Sequence, residues 1–374
     1  MDAAQRHIDV DVSAGTFASN IRHIRRLVSP ARLCVVMKSD AYGHGLADLA
    51  PVAAAAGADC IGICTNPEAA TVRRLLPNMP LIRLRTALPD ELEESVAVLG
   101  VEEQIGSYEV AERLDALGRA RQRPVPVHLK IDTGMGRSGF FPDQVAAARA
   151  VCELPGIAVV GVMTHFASAD AVDVTQATGQ LEVFDHILTA IRPSLPEDVL
   201  VHTHNSAAMV RLPECRRDLV RVGAACYGVR TSTTFENPAE LEPVMSVRTR
   251  VLELREIPAG ATIGYGSLFK TTRQTRVATV PVGFGEGYPR GLFNKGIVLI
   301  CGQRCPVIGR VSLNVTTIDV TDLDRDLAVG DEVVLIGRQG AASISFEELA
   351  DLFSSVHTEI NLMAGLMNQR RLVD

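Results

Sequence analysis

Short apolar runs alternate with amphipathic segments along roughly the first two thirds of the chain. The apolar runs have the length of buried strands, whereas the segments between them, such as PEAATVRRLL and PDELEESVAVL, repeat apolar residues at helical spacing. Eight strands with interleaved helices over about 230 residues match the count and length of a (β/α)8 barrel. A doubly wound sheet is the alternative, but the even spacing of the strands favours closure. The predicted strands are LCVVMK (33–38), DCIGI (59–63), LIRLR (81–85), EQIGS (103–107), VPVHLKID (125–132), AVVGVMTHF (158–166), VLVHTHN (199–205) and LVRVGAACYG (219–228).

The pattern changes near residue 240. From Pro243 onward the apolar runs are short, rich in β-branched residues and separated by turns, as in RVATVPVGFG, GIVLI and DEVVLIG. This pattern predicts a mostly antiparallel β-domain, to which the N-terminal run HIDVDV would add a strand. We therefore expect a barrel over residues 12–240 and a β-domain over residues 241–374 together with residues 1–11.

Polar residues stand where the barrel strands end. All parallel strands of a barrel end at one rim, so these side chains are expected to converge there. A lysine held at that rim by a rigid strand can be desolvated and serve as an amine nucleophile, although it could also simply point into water. The rim residues, in chain order, are Lys38, Tyr42, Lys130, Asp132, Arg137, His165, Ser206, Arg221, Gly223 and Ala224.

The chemistry of this set points to one kind of ligand. Backbone N–H groups near Ser206 and in the Gly223–Ala224 turn form two candidate cradles for an anion. Together with a lysine, an imidazole and two arginines, they suit a phosphorylated aldehyde cofactor bound to the lysine. Each residue alone is weak evidence for such a cofactor, whereas their joint occurrence at successive strand ends is stronger evidence.

Composition narrows the possible partners. The net charge of −7 argues against nucleic acid or an anionic membrane as a partner. The sequence has no apolar run of membrane-spanning length, and MDAAQRHIDVDV has no secretory signal. The eight cysteines lack the spacing of a zinc site. We therefore expect a cytoplasmic protein with reduced thiols. His202 and His204 could in principle bind a metal, but hydrogen-bonded structural histidines are the favoured interpretation, and no metal is predicted.

Over essentially its whole length the sequence resembles the alanine racemase family. The resemblance is carried by VVMKSDAYGHG, KIDTGMGRSG, MTHFASAD, HNSAA, RVGAACYG, GYGSLF, VGFGEGYPR and GRVSLN. It implies a barrel joined to a β-domain, pyridoxal 5'-phosphate as the cofactor, and a homodimer whose active sites are shared between subunits.

The resemblance also implies roles for the reacting groups. Lys38 matches the lysine that carries the cofactor, and Tyr265 matches a second catalytic base that comes from the other subunit. Arg137 matches an arginine at the phenolic oxygen of the cofactor, and the backbone N–H of Leu313 would bind the substrate carboxylate. Lys130 falls where some members of the family carry a carbamylated lysine.

The remaining roles concern the cofactor. Tyr42 and Ser206, helped by the Gly223–Ala224 turn, match ligands of the phosphate. His165 matches an imidazole beside the cofactor ring. Arg221 matches the residue that faces the pyridine nitrogen, and since a guanidinium cannot accept a proton, it should limit electron withdrawal and suppress transamination and decarboxylation.

Three departures from the family pattern concern the substrate. Ser312-Leu313-Asn314 replaces a usual Cys- or Ser-Met-Asp, and Phe284 replaces a tyrosine in VGFGEGY. TEINLMAGL has Ile360 or Asn361 where the family carries the tyrosine of a Pro-Tyr-Glu unit. The machinery for proton exchange is thus complete, whereas the residues that select a methyl side chain are altered.

These observations rank the possible functions. The first hypothesis is a racemase that interconverts L- and D-alanine, and the second is a racemase for serine or a larger or more polar amino acid. A non-catalytic cofactor-binding protein is disfavoured by the β-domain with Tyr265. A decarboxylase of the same plan is disfavoured by Arg221, because an acidic residue is expected there.

Overall fold

The computed structural model describes residues 7–230 and 241–374, and all eight predicted barrel strands are present. The amphipathic segments between them fold as helices and the first strand of the chain precedes the barrel. The strands are β1 (Ile8–Ser13), β2 (Arg32–Val36), β3 (Cys60–Ile63), β4 (Leu81–Arg83), β5 (Glu103–Ile105), β6 (Val125–Lys130), β7 (Ile157–Met163), β8 (Leu200–His202) and β9 (Leu219–Val222). The helices are α1 (Ala14–Val28), α2 (Lys38–Tyr42), α3 (Leu46–Ala56), α4 (Asn66–Leu75), α5 (Pro89–Glu94), α6 (Tyr108–Ala120), α7 (Val145–Cys152), α8 (Thr175–Ile191) and α9 (Ser206–Arg211).

The strands β2 to β9 close into a barrel. Two parallel four-stranded sheets have the orders β4-β3-β2-β9 and β5-β6-β7-β8. The Arg83 N–H donates to the Glu102 carbonyl at 3.0 Å across one seam, and the Arg221 N–H donates to the His204 carbonyl at 3.0 Å across the other. Because both seams are bonded, the strands form the predicted barrel rather than a doubly wound sheet.

Local sequence signals explain several helix starts. Thr65 caps α4 by accepting a hydrogen bond from the Glu68 N–H, while the Glu68 carboxylate accepts one from the Thr65 N–H. This reciprocal pair satisfies two backbone donors that the first helical turn cannot satisfy itself. Ser13 and Ser107 cap α1 and α6 in the same side-chain-to-backbone manner.

The remaining elements form the β-rich part of the chain. The strands are β10 (Met245–Arg250), β11 (Glu253–Ile257), β12 (Thr262–Ile263), β13 (Phe269–Lys270), β14 (Thr275–Val280), β15 (Ile297–Ile300), β16 (Gln303–Pro306), β17 (Thr316–Asp319), β18 (Glu332–Gln339), β19 (Ala342–Ile344) and β20 (Arg370–Val373). Two helices, α10 (Phe346–Leu352) and α11 (His357–Met367), precede the last strand.

The largest β-sheet includes the N-terminal strand. It has the order β16-β15-β18-β10-β1-β20, with β19 paired to β18. β1, from the run HIDVDV, pairs antiparallel with β10 and parallel with β20. The division at residues 12–240 and 241–374 stays a prediction, because residues 1–6 and 231–240 lie outside the described part of the chain.

The cysteines and the helix lengths of the described residues agree with the sequence analysis. All eight cysteines are free thiols, as predicted, and half of them are buried. Among the helices of residues 7–230 and 241–374, none is both long and apolar enough to cross a membrane.

Close backbone packing at α6 generates a stability prediction. A Cβ added at Gly118 would lie 2.0 Å from the carbonyl oxygen of Gly156, so Gly118→Ala should lower the free energy of unfolding by about 1–3 kcal/mol. Gly179 in α8 is the matched control, because its Cβ would meet nothing within 4 Å and Gly179→Ala should stabilise by about 0.5–1 kcal/mol. Thermal unfolding of both variants is the measurement, and equal shifts would contradict this account of packing.

Candidate active site

One cavity lies at the carboxyl ends of the barrel strands. Nine of the ten predicted rim residues line it, although they are up to 186 positions apart in the chain. The tenth, Asp132, is not part of the lining. The predicted residues that line the cavity are Lys38, Tyr42, Lys130, Arg137, His165, Ser206, Arg221, Gly223 and Ala224.

The turn that carries Lys38 has an uncommon backbone. Ser39, Asp40 and Ala41 have φ near +54° and ψ near +50°, and Tyr42 has φ of 54°, so the segment α2 is a left-handed turn rather than a right-handed α-helix. Each non-glycine residue in this conformation costs roughly 1–2 kcal/mol. The surrounding structure must therefore hold the turn in place.

Contacts from both parts of the chain hold this turn. The Ser39 N–H donates to a Glu68 oxygen at 2.6 Å, and an Asp40 oxygen accepts from the Leu46 N–H at 2.7 Å. From the β-rich part, the Arg370 guanidinium pairs with Asp40 at 2.7 Å and donates to the Gly43 carbonyl at 3.1 Å. The position of Lys38 thus depends on the barrel and on the β-domain together.

Ser206, at the start of α9, and the Gly223 turn form a polar cradle. The Ser206 Oγ accepts hydrogen bonds from the N–H groups of Gly223 and Ala225, at 3.1 and 3.4 Å. A Cβ at Gly223 would lie 2.5 Å from the Tyr42 hydroxyl, so only glycine allows this approach. Burial raises the pKa of Tyr42, which keeps its phenol a hydrogen-bond donor. Because Ser206 already accepts from these two N–H groups, the cradle offers an anion the hydroxyl groups of Ser206 and Tyr42 and the N–H of Ala224, which donates in none of the hydrogen bonds found among the described residues.

Arg221 is a buried cation whose side chain is fixed by the protein. Its Nη1 atom donates to the Nδ1 atom and the carbonyl of His202, both at 2.9 Å. Its Nη2 atom donates to the carbonyls of Thr164 and Thr203, at 2.7 and 3.2 Å. The Nε–H takes part in none of the hydrogen bonds found among the described residues, and Arg221 lines the cavity. One donor of the guanidinium is thus left for a ligand.

The electrostatics of the cavity favour an anionic ligand and neutral bases. Burial, together with nearby Arg221, holds the pKa of His165 well below its usual range, so this imidazole is neutral. Burial and the charges of Arg221 and Arg137 hold the pKa of Lys130 well below the ordinary lysine value. No carboxylate lines the cavity within the described residues.

Asp132 has a structural task at the rim. Its Oδ1 atom accepts from the N–H groups of Gly134, Met135 and Gly136, at 2.9 to 3.1 Å. Its Oδ2 atom accepts from the Arg137 N–H at 2.9 Å. Four backbone donors thus satisfy this carboxylate, and they shape the glycine-rich turn that presents Arg137 to the cavity.

The predicted residues from the β-domain lie elsewhere in the single chain. Tyr265, Phe284 and Leu313 do not line the cavity, and their side chains are 71%, 37% and 54% exposed. Arg310 lies near Gly266, the residue that follows Tyr265, since a Cβ at Gly266 would be 3.7 Å from the Cζ atom of Arg310. The roles predicted for these residues in catalysis and substrate binding stay predictions.

Part of the cavity lining was not predicted from the sequence. His357 and Thr358, at the start of α11, reach the cavity, as do Gln104 and Asn205. Ile360 and Asn361, which the resemblance placed at the family's tyrosine, are buried and absent from the lining. The segment TEINLMAGL gave a signal for this wall, but its register could not be fixed without the helix.

His202 and His204 are hydrogen-bonded inside the barrel. The Nε2 atom of His204 donates to the Leu212 carbonyl at 2.8 Å, and both nitrogens of His202 have partners. No group of three or more metal-binding side chains was found in residues 7–230 and 241–374. The hydrogen bonds expected of both histidines are present, whereas the absence of a metal role stays a prediction.

Fold and cavity together define an α/β-barrel protein with a β-domain and a strand-end lysine beside an anion cradle. Models of two alanine racemase domains match the sequence, the N-terminal domain at residues 12–231 and the C-terminal domain at residues 244–372. The chain belongs to the alanine racemase family.

Individual relatives resemble the chain over nearly its full length. An alanine racemase of Syntrophobacter fumaroxidans is 37% identical, covering 96% of each chain. A lysine racemase of Proteus mirabilis is 33% identical, covering 98% of this chain and 89% of the relative. The crystal structure of an alanine racemase from Bartonella henselae with covalently bound pyridoxal phosphate superposes with a TM-score of 0.89 at 27% identity, covering 98% of this chain and 100% of the other. These findings confirm the resemblance and the predicted fold.

The environment of Lys130 generates a prediction about a modification. A neutral amine reacts with CO2 to form a carbamate, with formation of an N–C bond and release of a proton, and the two arginines would stabilise the resulting anion. In ¹³C-bicarbonate the protein should show one protected carbamate resonance, absent from Lys130→Met. Lys270→Met, which changes an exposed lysine, is the control. A spectrum without the resonance in the wild-type protein would leave Lys130 unmodified.

Proposed function

We propose that the protein is a pyridoxal 5'-phosphate-dependent racemase that interconverts L- and D-alanine. The observation that carries this proposal is the juxtaposition of Lys38 with the Ser206–Gly223 cradle and the Arg221 Nε–H in one cavity of an alanine racemase family member. An amine, an anion cradle and a hydrogen-bond donor match the aldehyde, the phosphate and the ring nitrogen of that cofactor.

The residues present fit the cofactor. Lys38 would bind its aldehyde carbon, and Tyr42, Ser206 and the turn at Gly223 would hold its phosphate. Arg221 would donate its Nε–H to the ring nitrogen, because its other donors are already committed to His202 and to carbonyl groups. The neutral imidazole of His165 provides a flat, uncharged surface next to the ring.

The reaction needs two proton-transfer groups on opposite faces of the substrate Cα. Bound pyridoxal phosphate supplies an electron sink that makes the Cα–H acidic. The Lys38 Nζ atom would exchange the proton on one face and the Tyr265 Oη atom on the other. Arg221 carries no acceptor for a ring proton, which favours return of the proton to Cα over competing reactions.

We infer that the active protein is a homodimer. Tyr265 cannot serve the cavity of its own chain if it lies outside the lining, whereas a second copy can bring its tyrosine there. Exposed apolar side chains support such an interface: Tyr265, Leu268, Phe284 and Leu313 are 37% to 71% exposed. The Leu313 N–H would then bind the substrate carboxylate, and Arg137, at the phenolic oxygen of the cofactor, would lie beside the substrate. A cytoplasmic location is part of the same proposal and is supported by the free thiols.

A racemase for a larger or more polar amino acid is the second candidate. The substitutions Ser312-Leu313-Asn314 and Phe284 favour it, as does similarity to a relative named for lysine. Loss of the family's C-terminal tyrosine removes a bulky side chain, and His357 and Thr358 occupy the C-terminal wall of the cavity instead. The two candidates share one mechanism and differ only in the side chain that the site accepts.

The central test joins cofactor attachment to substrate choice. The purified protein should have a visible absorbance band that Lys38→Ala removes, because no other described lysine of the cavity is expected to bind the aldehyde. Incorporation of solvent deuterium at Cα should be fastest with alanine. Exchange with serine or lysine alone would favour the second candidate. A protein that binds the cofactor but exchanges no amino acid would have only a binding role, and release of CO2 would indicate a decarboxylase.

Subunit sharing has its own test. Lys38→Ala and Tyr265→Phe should each abolish racemisation, but in a mixed dimer one site combines the intact lysine of one chain with the intact tyrosine of the other. Equal mixing after reversible dissociation should therefore restore about one quarter of wild-type activity. The control is a dimer in which each of the two chains carries both Lys38→Ala and Tyr265→Phe. If Tyr265 acted within its own chain, the mixture would stay inactive.

A further inference from the structure

A line of hydrogen bonds runs through the interior of the barrel, below the cavity. The Nη1 atom of Arg221 lies 2.9 Å from the Nδ1 atom of His202, and the Nε2 atom of His202 lies 2.8 Å from the Nδ1 atom of His128. The Nε2 atom of His128 lies 2.7 Å from the Oε2 atom of Glu102. Both histidines are completely buried, whereas the Glu102 side chain is 27% exposed.

The line connects the two ends of the barrel. Arg221 lies at the rim that carries Lys38, whereas Glu102 immediately precedes β5 and therefore lies at the opposite mouth. The barrel makes room for this line, because a Cβ at Gly161 would lie 2.0 Å from the Nδ1 atom of His128. The two imidazole rings meet edge to face, with centroids 4.8 Å apart.

Elementary hydrogen-bond chemistry fixes the direction of every bond in the line. A guanidinium only donates, so the Nδ1 atom of His202 must accept and its Nε2 atom must carry the hydrogen. The Nδ1 atom of His128 must then accept, and its Nε2–H donates to Glu102. An ionised carboxylate only accepts, so Glu102 is consistent with this direction at the far end of the line.

The line of hydrogen bonds also helps to compensate the buried charge of Arg221. Burial lowers the pKa of Arg221 to about 10, and no carboxylate of the described residues pairs with Arg221 directly. A buried cation without a counter-ion is costly. Glu102 provides negative charge through two polarisable imidazoles, and three carbonyl oxygens provide the rest of the compensation.

We propose that Glu102, His128 and His202 form a relay that holds Arg221 protonated and aims its Nε–H at the cofactor ring nitrogen. These three residues are positioning residues, since none of them lines the cavity. The inference rests on the proposed function, because it assigns the target of the Nε–H to the cofactor. It adds that the state of the ring nitrogen depends on a carboxylate at the far end of the barrel.

The test compares Glu102→Gln with Asp198→Asn in the holoenzyme. Glutamine can accept the hydrogen bond from His128 but lacks the charge. Because Arg221 still only donates, the direction of the bonds is kept and the variant removes only the negative charge at the end of the line. Asp198 is exposed and lines the same mouth of the barrel, and it takes no part in the relay, so it controls for the change in net charge.

Nitrogen NMR of ¹⁵N-histidine protein provides the first readout, with His128→Gln and His202→Gln used to assign the signals. Wild-type protein should show both rings as neutral Nε2–H tautomers. Glu102→Gln should shift both pairs of signals and move the absorbance maximum of the bound cofactor. It should also lower kcat by roughly tenfold while KM stays unchanged, because the substrate touches none of these groups. Asp198→Asn should change none of these quantities.

Two results would overturn the relay. One is an Nδ1–H or doubly protonated form of either ring in the wild-type protein, and the other is a Glu102→Gln protein that matches Asp198→Asn in all readouts. A lower melting temperature of Glu102→Gln without shifted histidine signals or a moved absorbance maximum would likewise assign the line a structural role only. The tautomers are measured without turnover, whereas failure of the proposed function would show as a wild-type protein that does not racemise amino acids, so the two failures are distinguishable.

Discussion

The left-handed turn after β2 is the constraint on which the site depends. It places Lys38 and Tyr42 in one cavity, at the cost of four consecutive residues with positive φ. The turn packs so tightly against α11 that a Cβ at Gly43 would lie 2.7 Å from the Asn361 carbonyl. Arg370 fixes the same turn through Asp40. A barrel without its β-domain would lose these contacts, so the β-domain is part of the lysine site even within one chain.

Charge and burial give the residues of the cavity different roles. Arg221 is held by acceptors from β8 and from the segments after β7 and β8, so its orientation does not depend on a ligand. Burial keeps His165 and Tyr42 uncharged. A rigid cation, neutral aromatic groups and backbone donors are present before any ligand binds, which is the preorganisation that electrostatic stabilisation requires.

The sequence predicted the barrel and most of the cavity for one physical reason: parallel strands end at one rim, so a list of strand ends is a list of neighbours. No such rule predicts the other features of the site. The left-handed turn at Ser39–Tyr42 depends on contacts with Arg370 and α11, more than 300 residues away. His357 reaches the cavity only because α11 docks there. Glu102 and His128 belong to no motif, since their connection depends on side chains meeting inside the barrel.

Apart from the proposed base Tyr265, the residues that set the reaction and those that would set the substrate come from different parts of the chain. The barrel rim holds Lys38, Arg221 and the anion cradle, which matches the elements of amino-acid racemisation in general. Phe284 and Leu313 lie exposed on the β-domain, and His357 lines the cavity from α11. The departures from the family pattern fall on this second group. Substitution there can change the accepted side chain without disturbing the buried charges of the barrel, so the chemistry and the specificity of this fold can vary independently.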